Sequence, residues 1–289
     1  MSMDDSSFDP TAFKARQSEQ WSDVAQGWRR RWATFERDAQ PLSDRLMELA
    51  HVGPGQRVLD VATGIGEPAL TAARWVGPTG SVIAIDQAPQ ILDVARDRIE
   101  ATGLQNVTFI EGDAETVQLP PASFDAVVSR WGLLFFQDPV GALLRFRASL
   151  VPGGWLAAAI WGPPERVPLI SLPFMALAGG DQERPPAPPP GPNPFALSES
   201  AKLEQAVRDA GFVDAQSERM TVIFTFTSVE ELLGHIREVS APVRAITTTM
   251  SQEEQALFWK RLATAAQNYT DAAGVVRLTN DCLLVVGRN

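Results

Sequence analysis

Val58-Leu59-Asp60-Val61-Ala62-Thr63-Gly64-Ile65-Gly66-Glu67-Pro68 is the stretch that decides how this chain folds. Arg57 to Val61 is β-branched and apolar and carries a carboxylate, Asp60, close to its end. Thr63 to Gly66 then breaks the run with two glycines, and Pro68 to Trp75 continues with helical spacing until Gly77-Pro78 stops it. A short buried strand, a glycine turn and a helix form half of a βαβ unit.

Working outward, the same unit recurs from about Gln56 to Trp161. Ser81 to Ile85 reads as a second strand ending at Asp86. Pro89 to Ala101 is a helix with Ile91, Leu92, Ala95 and Ile99 on one face and Gly103 as its stop. Val107–Glu111, Phe124–Ser129 and Trp155–Trp161 supply three more strands. Strands alternating with helical patterns imply right-handed crossovers and a parallel sheet, and runs such as Ala126-Val127-Val128 suit a sheet covered on both faces. The expected fold class is therefore α/β, a doubly wound, mainly parallel sheet.

The flanks read differently. Trp21, Trp28 and Trp32 are spaced seven and four apart before the first strand, on one face of a helix. Pro163 to Pro194 is proline-rich and ends in Pro185-Pro186-Ala187-Pro188-Pro189-Pro190-Gly191-Pro192, a run that cannot continue a helix or a central strand and is expected to form an extended surface segment. Leu197–Ala210 returns to helix, and Thr221–Phe226 and Arg277–Val286 alternate like strands. Between those two strands lie two helical stretches, roughly Ser228–Ser240 and Ser251–Thr270.

Composition narrows the function. The chain has 289 residues and a formal net charge of −10, which argues against a nucleic-acid partner, since such proteins gather Lys and Arg along one face. The densest basic cluster, Arg29-Arg30-Arg31, reads as a solvated helix face. No stretch approaches the ~20 apolar residues of a membrane span, and the acidic N-terminus lacks the apolar region of a signal peptide. One cysteine, Cys282, and two distant histidines, His51 and His235, speak for no metal site. A cytoplasmic protein handling a small molecule is the expected setting, with the oligomeric state open and a homodimer among the options.

The chemistry belongs in the loops. Ligands of doubly wound sheets sit at the carboxyl ends of the strands, where strand order reverses. Gly64 and Gly66 allow close backbone approach, and Asp86, twenty residues after Gly66, can accept from ribose hydroxyls. That much is shared with nicotinamide-dependent oxidoreductases. Glu67, however, stands where a pyrophosphate would require neutral or positive surroundings, and it suits an ammonium and a sulfonium better. Asp113, in Gly112-Asp113-Ala114-Glu115 after the third strand, can accept from an exocyclic amine.

These residues resemble the motifs of class I S-adenosylmethionine-dependent methyltransferases. Val58 to Gly66 is similar to their first motif, Ile83-Ala84-Ile85-Asp86 to the second and Gly112-Asp113-Ala114 to the third. Ser123 to Val128 and Leu150-Val151-Pro152-Gly153-Gly154 match the fourth- and fifth-strand signatures. The branch they look like is the ubiquinone/menaquinone-biosynthesis type (methyltransferase type 11), and the resemblance covers Gln56 to Trp161. It implies a seven-stranded Rossmann-like sheet with an antiparallel last strand and a helical cap. It also implies S-adenosyl-L-methionine as cofactor and a small, hydrophobic or aromatic acceptor methylated on oxygen, carbon or nitrogen.

By the same resemblance the glycine loop (Ala62, Thr63, Gly64, Gly66) takes the methionine end of the donor, with Asp60 orienting its amino group. Asp86 and Gln87 hold the ribose, Gly112, Asp113 and Ala114 meet the adenine, and Ser129, Arg130 and Trp131 border the sulfonium. Residues 1–50 are then a helical lid and 51–162 the donor-binding core. Residues 163–196 are a proline-rich insertion, and 197–289 complete the core with a helical insertion over 228–274. Three side chains are catalytic candidates. His235 is a possible base, set against the simpler reading of a packed core histidine. Glu67 and Arg130 are placed by sequence to face the pocket, Arg130 as a partner for an acid or phenolate. A non-methylating donor-binding protein on the same fold remains open beside the oxidoreductase.

Overall fold

The computed structural model describes residues 9–179 and 193–289. Two helices lead: α1 (Pro10–Asp23), capped by Asp9, and α2 (Ala25–Leu49), separated at Val24. The break matters for the tryptophans, which the sequence set on one helical face. Trp21 belongs to α1, whereas Trp28 and Trp32 belong to α2, and Arg98 stacks on the Trp32 ring at 4.3 Å. The arginine cluster is not merely solvated either. Arg30 and Arg31 both pair with Glu238 (2.8 and 2.7 Å), and Arg29 pairs with Asp97.

The repeating units follow as β1 (Arg57–Val61), α3 (Ala69–Val76), β2 (Ser81–Asp86), α4 (Pro89–Thr102), β3 (Val107–Glu111), β4 (Phe124–Arg130), α5 (Pro139–Ser149) and β5 (Leu150–Trp161). Then come α6 (Pro168–Leu177), α7 (Ser200–Asp209), β6 (Val213–Phe226), α8 (Val229–Val239), α9 (Ala241–Thr247), α10 (Gln252–Ala266) and β7 (Val276–Arg288). The sheet order is β3-β2-β1-β4-β5-β7-β6. β7 alone runs against its neighbours, pairing antiparallel with both β5 and β6. Strand order reverses between β1 and β4, so their carboxyl ends open a crevice.

Alternate residues of each strand feed two cores. Val58, Val82, Ala126, Val128 and Ala157 pack with α2, α3, α6, α8 and α10. Leu59, Val61, Val127, Leu156 and Ala158 pack with α5 and α7 on the other face. Fully buried Phe124, Phe146, Phe224 and Phe226 each contribute on the order of 1.5–3 kcal/mol by leaving water.

Two stretches differ from the sequence-based expectation. Within the proline-rich stretch 163–194, where the sequence suggests no helix, Pro168–Leu177 forms one. Pro168 stands in its first turn, where a missing N–H is harmless, and Leu169, Leu172, Pro173 and Ala176 bury against the core. The densest proline run, residues 185–192, lies outside the described residues. β6 also begins eight residues earlier than its apolar alternation suggested. Its first half, Val213 to Arg219, is polar because it forms the sheet edge, and a bulge between Val213 and Gln216 breaks the register. Side chains satisfy part of that edge: the Thr225 N–H donates to Asp38 and the Ser217 N–H to Glu204, while the Thr225 carbonyl accepts from Arg37.

Candidate functional site

An open cleft with about 1690 Å³ of empty space sits above the carboxyl ends of β1, β2, β3 and β4 and runs under α6, α8 and α9. One half is built from strand-end loops. Ala62 to Ile65, Asp86, Gln87, Gly112 to Ala114, Trp131 and Gly132 all line it. Gly64 (φ +55°) has no atom within 4 Å of the place a Cβ would take, so its backbone is open to a ligand. Gly66 (φ +90°) serves packing instead: a Cβ there would stand 3.2 Å from that of Ala95, so this glycine lets α4 approach. Ala62 (φ +55°) and Trp131 (φ +61°) adopt left-handed backbone that non-glycine residues rarely take, and both border the cleft.

The carboxylates divide by position. Asp86 faces the cleft and organises it, accepting from the Gly64 N–H at 2.8 Å and the Ala88 N–H at 3.0 Å. Burial pushes its carboxyl up, opposed by those N–H groups. Asp60 lies beneath the loop, not among the lining residues, and accepts from the Ala69 N–H at 2.8 Å at the start of α3. Burial pushes it up to about 7. Its Oδ1 and the Thr63 hydroxyl are both buried, and the Thr63 hydroxyl beside the carboxyl counters part of the effect of burial. Ser129 is likewise inside the wall, its hydroxyl donating to the Val61 carbonyl at 2.9 Å.

A buried ion network forms the floor. Arg130 donates to Glu36 at 2.5 and 2.9 Å and to Ser43 at 3.0 Å. Both terminal nitrogens of the guanidinium are occupied in this way and its Nε is buried without a partner, so Arg130 acts as a strut in the floor. Glu67 accepts from the Thr71 hydroxyl at 2.7 Å and lies 3.6 Å from Arg98. Burial, then the nearby Glu36, push Glu67 upward.

α1 closes the loop-built half from above. Ser18 donates to the Gln87 carbonyl at 2.7 Å, and the Gln87 amide donates to Gln17 at 2.7 Å. Lys14 pairs with Asp113 at 3.1 Å, and Trp21 meets Phe135 edge-on at 5.4 Å.

The other half is aromatic. Trp131 stacks on Trp161 at 4.3 Å, and Phe35 stacks on Phe224 at 4.7 Å. Trp28, Leu169, Phe174, Val239 and Pro242 complete the wall, and Pro194 reaches it as well. His235 lies parallel to Phe35 at 6.0 Å, is 2% exposed, and has its Nδ1 buried without a partner. Burial, helped by the Arg31 charge, pulls its pKa down to about 4, so the imidazole is neutral across the physiological range.

Several of these residues escape sequence reasoning. Glu36 sits in the apolar α2 stripe of Phe35, Ala39, Leu42 and Leu46, and a lone acid in such a stripe is the signal that finds it. Asn280 gives no such signal, being one polar residue in an apolar strand. Its Oδ1 accepts from the Leu169 N–H at 2.9 Å and thereby anchors the start of α6 over the cleft.

Loops at the reversal point of a doubly wound sheet, one of them glycine-rich and faced by an acid at the end of β2, define a nucleoside-type donor site. The family described as "Methyltransferase domain" matches residues 58–154. The chain is 37% identical over 139 residues to aklanonic acid methyltransferase DauC of Streptomyces sp. (strain C5), a match spanning 45% of this chain and 63% of that protein. It is 35% identical over 191 residues to the ubiquinone/menaquinone biosynthesis C-methyltransferase UbiE of Ectopseudomonas mendocina (strain ymp), covering 61% of this chain and 70% of UbiE. A phosphoethanolamine N-methyltransferase of Haemonchus contortus, solved with phosphomonomethylethanolamine and S-adenosylhomocysteine, shares the fold at a TM-score of 0.60 and 20% identity, over 96% of this chain and 60% of that one. The chain belongs to the class I S-adenosylmethionine-dependent methyltransferases. Its cofactor is accordingly S-adenosyl-L-methionine. Among the described residues no helix is long and apolar enough to cross a membrane.

Proposed function

We propose that this chain transfers the methyl group of S-adenosylmethionine to a bulky, ring-bearing, largely apolar acceptor, on an oxygen or an acidic carbon. The observation that carries the reading is the aromatic half of the cleft, walled by Trp28, Phe35, Trp131, Trp161 and Phe174, whose charged neighbours Glu36 and Arg130 are spent on each other. The names of DauC and UbiE point to ring-bearing molecules, which supports this class.

In this reading the open backbone at Gly64 receives the methionine end, with Ala62 and Thr63 beside it. The buried Asp60 carboxylate, beneath the loop with the Thr63 hydroxyl beside it, supplies negative charge that suits the donor's amino group. Asp86 and Gln87 take the ribose, Gly112, Asp113 and Ala114 the adenine, and Trp131 borders the sulfonium. Bound there, the donor supplies an electrophilic methyl on a good leaving group, so the chain chiefly aligns the acceptor and excludes water. The acceptor would enter already ionised, its proton lost to solvent before the cleft is covered, so that the freed electron pair on its oxygen or carbon could take the methyl group the donor would supply. His235, neutral and poorly basic, orients the acceptor by a hydrogen bond. Of the lid expected over residues 1–50, α1 covers the donor and α2, which also brings Glu36 to the floor, walls the acceptor side; residues 1–8 lie outside the described residues.

The test is release of S-adenosylhomocysteine on incubation with S-adenosylmethionine and two acceptor panels: hydroxylated fused-ring quinones, and small polar amines such as phosphoethanolamine. Turnover is expected with the ring compounds alone. Turnover confined to the amines would overturn the acceptor class. Tight S-adenosylhomocysteine binding with no turnover on either panel would favour a non-methylating use of the donor. A thermal shift with NADH and none with S-adenosylhomocysteine would sink the donor reading.

A further inference from the structure

Lys14 stands where three parts of the cleft meet. Its Nζ lies 3.1 Å from Asp113 Oδ1, also contacts Glu115, and sits 5.5 Å above the Phe136 ring. Glu115 in turn accepts the backbone N–H groups of Gln137 at 3.0 Å and Asp138 at 2.8 Å, bracing the loop that follows β4. One ammonium therefore joins α1, the loop after β3 and, through Glu115, the loop after β4. The Lys14 side chain is 16% exposed, and it lines the cleft beside Asp113. A carboxylate between two loops is free to swing unless something holds it, and a half-buried ammonium between two acids is an effective holder. Asp113 Oδ1 also accepts from the Glu115 N–H at 3.0 Å, so the same oxygen is fixed from two sides while Oδ2 has no partner named among these contacts.

Resting on the donor site proposed above, we infer that Lys14 is a donor-positioning residue: it sets Asp113 to accept the exocyclic amine of adenine and fastens α1 over the bound donor. Donor exchange then requires the Lys14 bridge to break. The bridge belongs to the donor and not to the acceptor: Phe136 is the aromatic ring beneath Lys14, and the wall of Trp28, Phe35, Trp131, Trp161 and Phe174 takes no part in it. Removing it should therefore change how long the donor stays and how well its amine is read, while the acceptor's KM holds.

The full chain is first titrated with S-adenosylhomocysteine. Absence of binding would defeat the donor reading itself, and this inference with it. With binding established, the release rate is measured for wild type, Lys14→Met, Lys14→Arg and, as a control on the exposed face of α1, Arg16→Gln. Lys14→Met should release S-adenosylhomocysteine about tenfold faster, the scale of one charge-assisted hydrogen bond. Its preference for S-adenosylhomocysteine over S-inosylhomocysteine, which lacks the amine, should narrow, and Lys14→Arg should restore most of both. Should Lys14→Met fail to fold, the salt dependence of the wild-type release rate carries the test, since screening weakens the bridge. Unchanged release and unchanged preference in Lys14→Met, equal acceleration in Arg16→Gln, or a salt-independent wild-type rate would overturn the assignment.

Discussion

The two halves of the cleft are made of different material. The half proposed for the donor is mostly backbone and short side chains, delivered by four loops that each follow a strand of one sheet. The half proposed for the acceptor is aromatic surface, assembled from α2, the ends of β4 and β5, α6, α8 and α9. Positions in the first half are set by strand register, and those in the second by how helices pack.

The comparison can be broken first at the floor that both halves share. Glu36→Ala leaves Arg130 buried without its carboxylate and should destabilise the fold by about 3–5 kcal/mol in denaturant unfolding. A loss below about 1 kcal/mol would mean the pair is dispensable. The acceptor half carries its own pH signature. The His235 pKa is lowered in the fold to about 4 from 6.5, so its stabilising effect is complete above 6.5 and is lost as pH falls towards 4. Buried Asp60 and Asp86 oppose it, because their raised pKa values favour the fold as pH drops. The difference between wild type and His235→Phe isolates the histidine. It should move by about 3 kcal/mol in favour of the variant between neutral pH and pH ~4, and parallel stability curves would refute it.

Two further substitutions separate the halves. Asp86→Ala removes both a cleft-facing carboxylate and the acceptor for the Gly64 N–H, and should weaken S-adenosylhomocysteine binding by ~1–3 kcal/mol by calorimetry. Phe174→Ala should raise the acceptor KM by roughly 1 kcal/mol equivalent, the loss of one aromatic contact, with donor affinity held within about twofold. A matching fall in donor affinity would show that the halves are not independent.

The same contrast explains what was legible beforehand. Each donor loop is contiguous in sequence and obeys a local rule: a glycine where backbone must be open, an acid where a strand ends. Gly64, Asp86 and Asp113 could be singled out on that basis, and the structure lines them along one wall. The local rule said less about role. Gly66 answers to Ala95 and Asp60 to the start of α3, constraints that only the packed structure displays. For the acceptor half no local rule exists. Phe35, Trp161, Leu169 and His235 are brought together across two hundred positions of chain by helix packing. Arg130 reads as available until Glu36 meets it, and α6 shows no helical signal because prolines outweigh burial in a reading from composition.

The treatment of β6 has a consequence for how copies of this protein can meet. Its outer edge has Thr225 held by Asp38 and Arg37 and Ser217 held by Glu204, so a passing strand finds those rungs already taken. An eighth strand from a second molecule is thereby discouraged along this side of the sheet, whose opposite edge is β3.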